Sequence, residues 1–195
     1  MRPLALALAA VVASLTLVAC GGGTPMPDQS LVATLDPMDR DALELRIHQI
    51  VNTQRRAHGL STVAWNDTIR PIARAHSGTM ARRDRFAHVI DGDGVGDRYV
   101  AAGFNCRVPA GGGRFLTGGE NLFVGNRIVR WSTDSAGRQR IVETHDIESL
   151  AAAVVHGWLQ SPGHRQNLLT PQWQTEAIGV HFGTDGRVWV TQNFC

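Results

Sequence analysis

Residues 158–169 read Trp158-Leu159-Gln160-Ser161-Pro162-Gly163-His164-Arg165-Gln166-Asn167-Leu168-Leu169. The stretch closes a helix. From Ile147 to Gln160 the pattern is helical, and Ser161-Pro162-Gly163 then interrupts it. Upstream, Asp39 to His58 reads as a helix with Leu43, Ile47, Ile50, Val51 and Gln54 on one face, and Gly59 is placed to end it. A second helix is expected from Thr68 to Arg83, capped by Asn66 or Asp67, with Pro71 in its first turn. Its buried face comprises Ile69, Ile72 or Ala73, His76 and Met80.

Between these helices Val89–Phe115 is Gly-rich and reads as loop. Strands are expected within Asn121–Thr144, with Asp134-Ser135-Ala136-Gly137 as the turn between Ile128–Ser132 and Gln139–Glu143. Downstream, Ala177–Phe182 and Val188–Phe194 alternate around Thr184-Asp185-Gly186, a hairpin signal. Helices first and hairpins later give an α+β fold with a mostly antiparallel sheet.

The chain has 195 residues, which suits one domain plus a leader. Its formal net charge is +2 and every basic residue is Arg. The arginines form no run, so a nucleic-acid partner is disfavoured. The hydrophobic fraction of 43% allows a sizeable core.

Met1-Arg2 followed by an apolar run from Leu4 to Val18 reads as a secretory signal, too short to span a bilayer. Leu17-Val18-Ala19-Cys20 resembles a bacterial lipobox, in which the Cys is acylated and becomes the mature N-terminus. The alternative is a plain secretory signal with an incidental Cys. The division expected is residues 1–19 signal peptide, 20–30 lipidated Cys20 and Gly/Pro-rich tether, and 31–195 folded domain. Export favours disulfides. With Cys20 acylated, Cys106 and Cys195 remain as one pair, the alternative being two separate thiols.

Several motifs fail on their chemistry. Asp91-Gly92-Asp93-Gly94-Val95-Gly96 lacks an oxygen ligand at Val95 for a calcium loop, and no strand precedes it as a phosphate loop requires. Neither a zincin helix motif nor a nucleophile elbow occurs. Asn66-Asp67-Thr68 is a sequon by letter, better explained by helix capping.

Four segments remain: Arg85-Phe86-Ala87-His88, Gly119-Glu120-Asn121-Leu122, Trp158–Leu169 and Val190-Thr191-Gln192-Asn193-Phe194. In this order they resemble the CAP superfamily (cysteine-rich secretory proteins, antigen 5, pathogenesis-related 1), in its bacterial branch. The resemblance runs from about Leu43 to Cys195. It implies an α-β-α sandwich with a central antiparallel sheet flanked by helices. It also implies a cleft with two histidines and two acids, onto which His88, Glu120 and His164 map.

In that family the histidines hold a divalent ion, often zinc, so His88 and His164 become candidate metal ligands. A carboxylate on the second ring nitrogen would fix their tautomer. The second acid is missing, because its position holds Ala153. Glu148 lies five residues further back, and five steps turn a helix by about 500°, away from that face. His156 is also off that face. His76 and four tryptophans (Trp65, Trp158, Trp173, Trp189) are read as core; His181 is unassigned.

Two function classes follow. One is an envelope-anchored binding module whose cleft takes a lipid, a peptide or a cell-envelope component. The other is a metal-dependent peptidase with His88 and His164 on the ion and Glu120 as base. Catalytic zinc commonly has three protein ligands, which counts against the second. A purely structural envelope domain is a third reading. Zinc, if bound, is expected to be weak. The expected location is the cell envelope, on the outer membrane or a periplasmic face where the source has two membranes.

Metabolic labelling with an alkyne fatty acid tests the leader. Wild type should be labelled and Cys20→Ser should not; equal labelling of both would remove the lipid anchor.

Overall fold

The computed structural model describes residues 27–195. The signal segment, Cys20 and most of the tether lie outside the described residues. The elements in chain order are α1 (Gln29–Val32), α2 (Arg40–Ala57), β1 (Ala64–Trp65), α3 (Arg70–Arg83), α4 (Val95–Ala101), β2 (Val108–Gly111) and β3 (Arg114–Leu116). They continue with β4 (Gly119–Asn126), β5 (Ile128–Thr133), β6 (Gln139–Thr144), α5 (Ile147–Gln160), α6 (Pro162–Leu168), β7 (Thr175–Phe182) and β8 (Arg187–Phe194).

The principal sheet has the order β1-β7-β8-β4. β7–β8 and β8–β4 are antiparallel, whereas β1 joins β7 in parallel, so the sheet is mixed rather than antiparallel throughout. A two-residue strand carries no alternation to read, which is why the sequence pattern does not reveal it.

Helices cover both faces. On one, Leu43, Ile47 and Val51 of α2 meet Leu150, Val154, Val155 and Trp158 of α5 over Ile178, Val180, Val188 and Val190. On the other, α3 lies so close to β7 that a Cβ at Gly179 would stand 2.1 Å from the Arg74 backbone nitrogen. Only hydrogen fits there. Ser77 Oγ donates to the Gly179 carbonyl at 2.8 Å and lies 2.8 Å from Thr191 Oγ1, locking helix to sheet.

Two buried acids brace the α2 face. Glu44 of α2 accepts from Arg74 Nε at 2.7 Å and from the Val180 N–H at 3.0 Å. Glu176 accepts from Gln192 Nε2 at 2.5 Å and bonds His48 Nδ1 at 2.6 Å. The Asn52 amide is fixed by a reciprocal pair with Val63, so its remaining N–H donates to His48 Nε2 at 3.2 Å. His48 Nδ1 is therefore the protonated nitrogen that donates to Glu176.

The expected helices are present with small boundary shifts. Asp39 caps α2 through the Ala42 N–H, and Asp146 caps α5 through the Ser149 N–H. Asn66 Oδ1 accepts from the N–H groups of Thr68 and Ile69 just ahead of α3. The Val89–Phe115 stretch is more ordered than its composition implies, because it contains α4 and β2. Asp97 accepts from the Gly94 N–H at the start of α4, and Tyr99 anchors that helix in a cluster with Ile69, Trp173 and Phe194. α6 follows α5 directly, since Pro162 opens a new helix at its first turn instead of only ending the old one.

Cys106 and Cys195 form a disulfide with Cα atoms 5.6 Å apart. It closes a sequence separation of 89 residues and fixes the chain's last residue to the α4–β2 connection. In the chain-entropy account such a loop contributes about 4–5 kcal/mol.

Candidate functional site

β4 is an edge strand of the principal sheet, and its alternation sends successive side chains to opposite faces. Glu120 pairs in register with Asn193 and points to the α3 side; Asn121 pairs with Gln192 and points to the α5–α6 side. Gly119 admits this junction, since a Cβ there would meet Trp173 at 2.5 Å and Asn167 at 2.7 Å.

On the α3 side, His76 is buried and its Nε2 lies 3.1 Å from the Ala87 carbonyl. A carbonyl only accepts, so Nε2 carries the proton. This bond holds the residue next to His88. His88 is exposed, and its Nδ1 donates to Glu120 Oε1 at 2.9 Å. Glu120 is only 3% exposed at its side chain, and its other oxygen is held by Arg98 of α4. The same guanidinium donates through its second terminal nitrogen to the carbonyls of His88 at 3.1 Å and Asp93 at 2.9 Å. Arg98 therefore ties together the loop carrying His88 and the acid that orients its ring. A cavity of about 340 Å³ adjoins this cluster, lined by His76, Thr79, Asp91 and Arg98 among others.

On the opposite side, Asn121 Nδ2 donates to the His164 carbonyl at 3.1 Å and to Gln192 Oε1 at 2.9 Å. Asn167 Nδ2 donates to Asn121 Oδ1 at 3.1 Å. Through Gln192 this chain of bonds joins the buried Glu176. Trp158 Nε1 donates to the Leu122 carbonyl at 2.9 Å, pinning α5 to the edge strand. The result brings the rings of His88 and His164 to 6.1 Å between centroids across β4.

The structure thus places His88, Glu120 and His164 together. Ala153 is half-buried on α5. Glu148 is turned away and pairs with Arg46, and His156 is exposed. Trp158, Trp173 and Trp189 are buried, as is His76, while Trp65 is half-buried. Arg98 is the residue that the sequence pattern misses: nothing marks one arginine in a Gly-rich stretch until α4 is known to face Glu120.

The donor set does not fit a tightly held dication. Glu120 has both oxygens engaged, one by a guanidinium, leaving two imidazoles where catalytic zinc typically has three protein ligands. Among the described residues, no group of three or more His, Cys, Asp or Glu is arranged to hold a metal ion.

Residues 48–194 match the Cysteine-rich secretory protein family (CAP), and the chain belongs to that family. Among curated proteins it is similar to the uncharacterized protein YkwD of Bacillus subtilis, 24% identical over 85% of this chain and 52% of that one. It is also similar to the uncharacterized membrane protein YlbC of the same organism, 27% identical over 77% of this chain and 34% of that one. The chain spans about half or less of these relatives' length.

Among solved structures, an extracellular protein containing an SCP domain from Bacillus anthracis superposes with a TM-score of 0.58. It is 23% identical over 82% of this chain and 44% of that one. An outer surface protein from Borrelia burgdorferi also gives 0.58, at 16% identity over 80% of this chain and 94% of that one. These likenesses establish the fold: a mixed α+β sandwich with helices on both sides of the sheet.

The histidines set a pH dependence. Burial is the largest cause lowering the proton affinity of His76, His164 and His181; Glu120 opposes it at His76 while Arg98 adds to it, and Arg82 adds to it at His181. A base with a depressed folded pKa is neutral when folded but takes up a proton when unfolded below about pH 6.5. Stability is therefore full above about 6.5 and falls as pH drops toward the folded values, most through the buried His76, since solvent screens the half-buried His164 and His181. Urea midpoints should be lower at pH 5 than at pH 7.5, and His76→Gln should flatten the slope. A midpoint that rises on acidification contradicts this assignment.

Proposed function

We propose that this CAP domain is an exported, lipid-anchored binding module of the cell envelope, in which His88 and His164 contact the ligand and Glu120 orients His88. The observation that carries the reading is the engagement of Glu120 by Arg98. A general base needs a carboxylate free to take a proton from water. A metal-bound water would need a third ligand at this place. A guanidinium across the second oxygen opposes both roles. It leaves His88 as a fixed imidazole, with Nδ1 donating inward and Nε2 presented outward. His164 is half-buried, and its depressed proton affinity makes it a neutral hydrogen-bonding partner near pH 7.

The envelope location draws on the lipobox-like Leu17–Cys20 segment and on the extracellular and outer-surface descriptions of the two structural relatives. Zinc belongs to this reading only as a weakly held ion between the two imidazoles. Metal-dependent peptide hydrolysis is the competing reading.

Turnover separates the two. The secreted Cys20→Ser chain, incubated with a mixed peptide pool with and without chelator, should leave the pool unchanged. The same protein, passed over an envelope extract of peptides, glycans and lipids, should retain a component that His88→Ala and His164→Ala lose. Chelator-sensitive cleavage abolished by His88→Ala would overturn the proposal.

A further inference from the structure

β5 and β6 form a two-stranded ribbon outside the principal sheet. A two-stranded hairpin is marginal in water on its own. Here its inner side, through Ile128, Trp131 and Ile141, is covered by Leu31, Val32 and Leu35 of α1 and the turn after it. Asp28 caps α1 through the Ser30 N–H, and its own backbone N–H donates to Gln139 of β6 at 2.9 Å. The first described turn of the chain is thus built into the hairpin. Cys20 lies eight positions before Asp28, a reach of at most about 29 Å.

Among the described residues, the other side of the ribbon has no covering element with substantial contact. Register shifts leave Val129 out of step between Ile128 and Arg130, and Val142 out of step between Ile141 and Glu143. These two valines are 44% and 41% exposed. The same ribbon carries Arg130 on β5, Arg140 on β6 and Arg138 in the turn between them. Arg130 pairs with Glu143 and Arg138 with Asp134, while Arg140 bonds the Ser132 hydroxyl. Exposed apolar tips among arginines suit the headgroup region of a bilayer, where aliphatic stems bury and guanidinium groups meet phosphates.

The topology places this ribbon far from the histidines. Glu120 lies at the start of β4 and Asn126 at its end, six residues or about 20 Å away, and β5 begins at Ile128. The β7–β8 turn lies at the same end: Arg127 N–H donates to the Gly186 carbonyl at 3.0 Å, and a Cβ on Gly186 would come 3.2 Å from Val32.

We infer that α1 and the β5–β6 hairpin are the face on which the domain rests against the phospholipid bilayer holding its lipidated N-terminus. The His88–Glu120–His164 cleft then stands at the far end of the sheet and takes ligands from the aqueous side. This rests on the lipid anchor at Cys20. It narrows the ligand to a polar, water-borne envelope component, since acyl chains of the supporting bilayer lie at the opposite end.

The full chain, with lipid at Cys20 verified by mass spectrometry, is reconstituted in phosphatidylethanolamine/phosphatidylglycerol vesicles. It carries an environment-sensitive fluorophore at Val142→Cys or at Val89→Cys, beside His88. Headgroup nitroxide lipids should quench the Val142 label several-fold more than the Val89 label. A Cys20→Ser chain labelled at Val142 should show far less quenching than its lipidated form. Lipid present with equal quenching at the two sites, or stronger quenching at Val89, overturns the orientation alone. Absence of lipid at Cys20 removes the anchor and the orientation with it.

Discussion

The antiparallel pairing of β4 with β8 is the constraint on which the site depends. Register puts Glu120 opposite Asn193 and Asn121 opposite Gln192, and the two-residue period of a strand does the rest. One residue goes to the α3 layer, where Arg98, His76 and His88 gather. Its neighbour goes to the other layer, where it holds the His164 carbonyl. A slip of one residue would exchange these faces and separate the two histidines. The pairing is itself secured from both sides, by Trp158 on the Leu122 carbonyl and by the disulfide at the end of β8.

Within that frame, electrostatics decide the chemistry. A carboxylate only 3% exposed needs compensation, and Arg98 with His88 supplies it. The compensation has a consequence for the cleft as a whole. The acid's charge is already balanced from inside the protein, so little negative potential is left to draw in a dication. Ala153, half-buried on α5, contributes no charge either. What remains is an exposed His88 ring held by Glu120 beside a half-buried His164.

Much of this was legible in the residues. The helices at Arg40–Ala57 and Ile147–Gln160 carry caps and apolar spacing, and the β7–β8 hairpin carries its turn. His88, Glu120 and His164 are assigned to one cleft through the resemblance of their motifs to the CAP family, and the structure brings the three together. What escaped has physical causes. α4 is short and held by one buried tyrosine and an Asp97–Gly94 bond, neither of which produces periodicity. α6 hides behind Pro162, which can break a helix or begin one. β1 is two residues long and parallel. Arg98 has no local signature because its importance comes from a partner 22 residues away. His76 reads correctly as core, yet its bond to Ala87 also positions the site, which burial alone does not reveal.

Arg98 engages the second oxygen of Glu120 and so opposes a metal-ligating role for that acid. Isothermal titration of zinc into the Cys20→Ser chain and into its Arg98→Gln derivative tests it most directly. The arginine-containing chain should bind weakly, on the order of micromolar or poorer. Binding should tighten by about tenfold or more once the guanidinium is gone and Glu120 is freed toward the histidines. Nanomolar zinc binding with Arg98 in place, or an affinity unchanged by its removal, would contradict it.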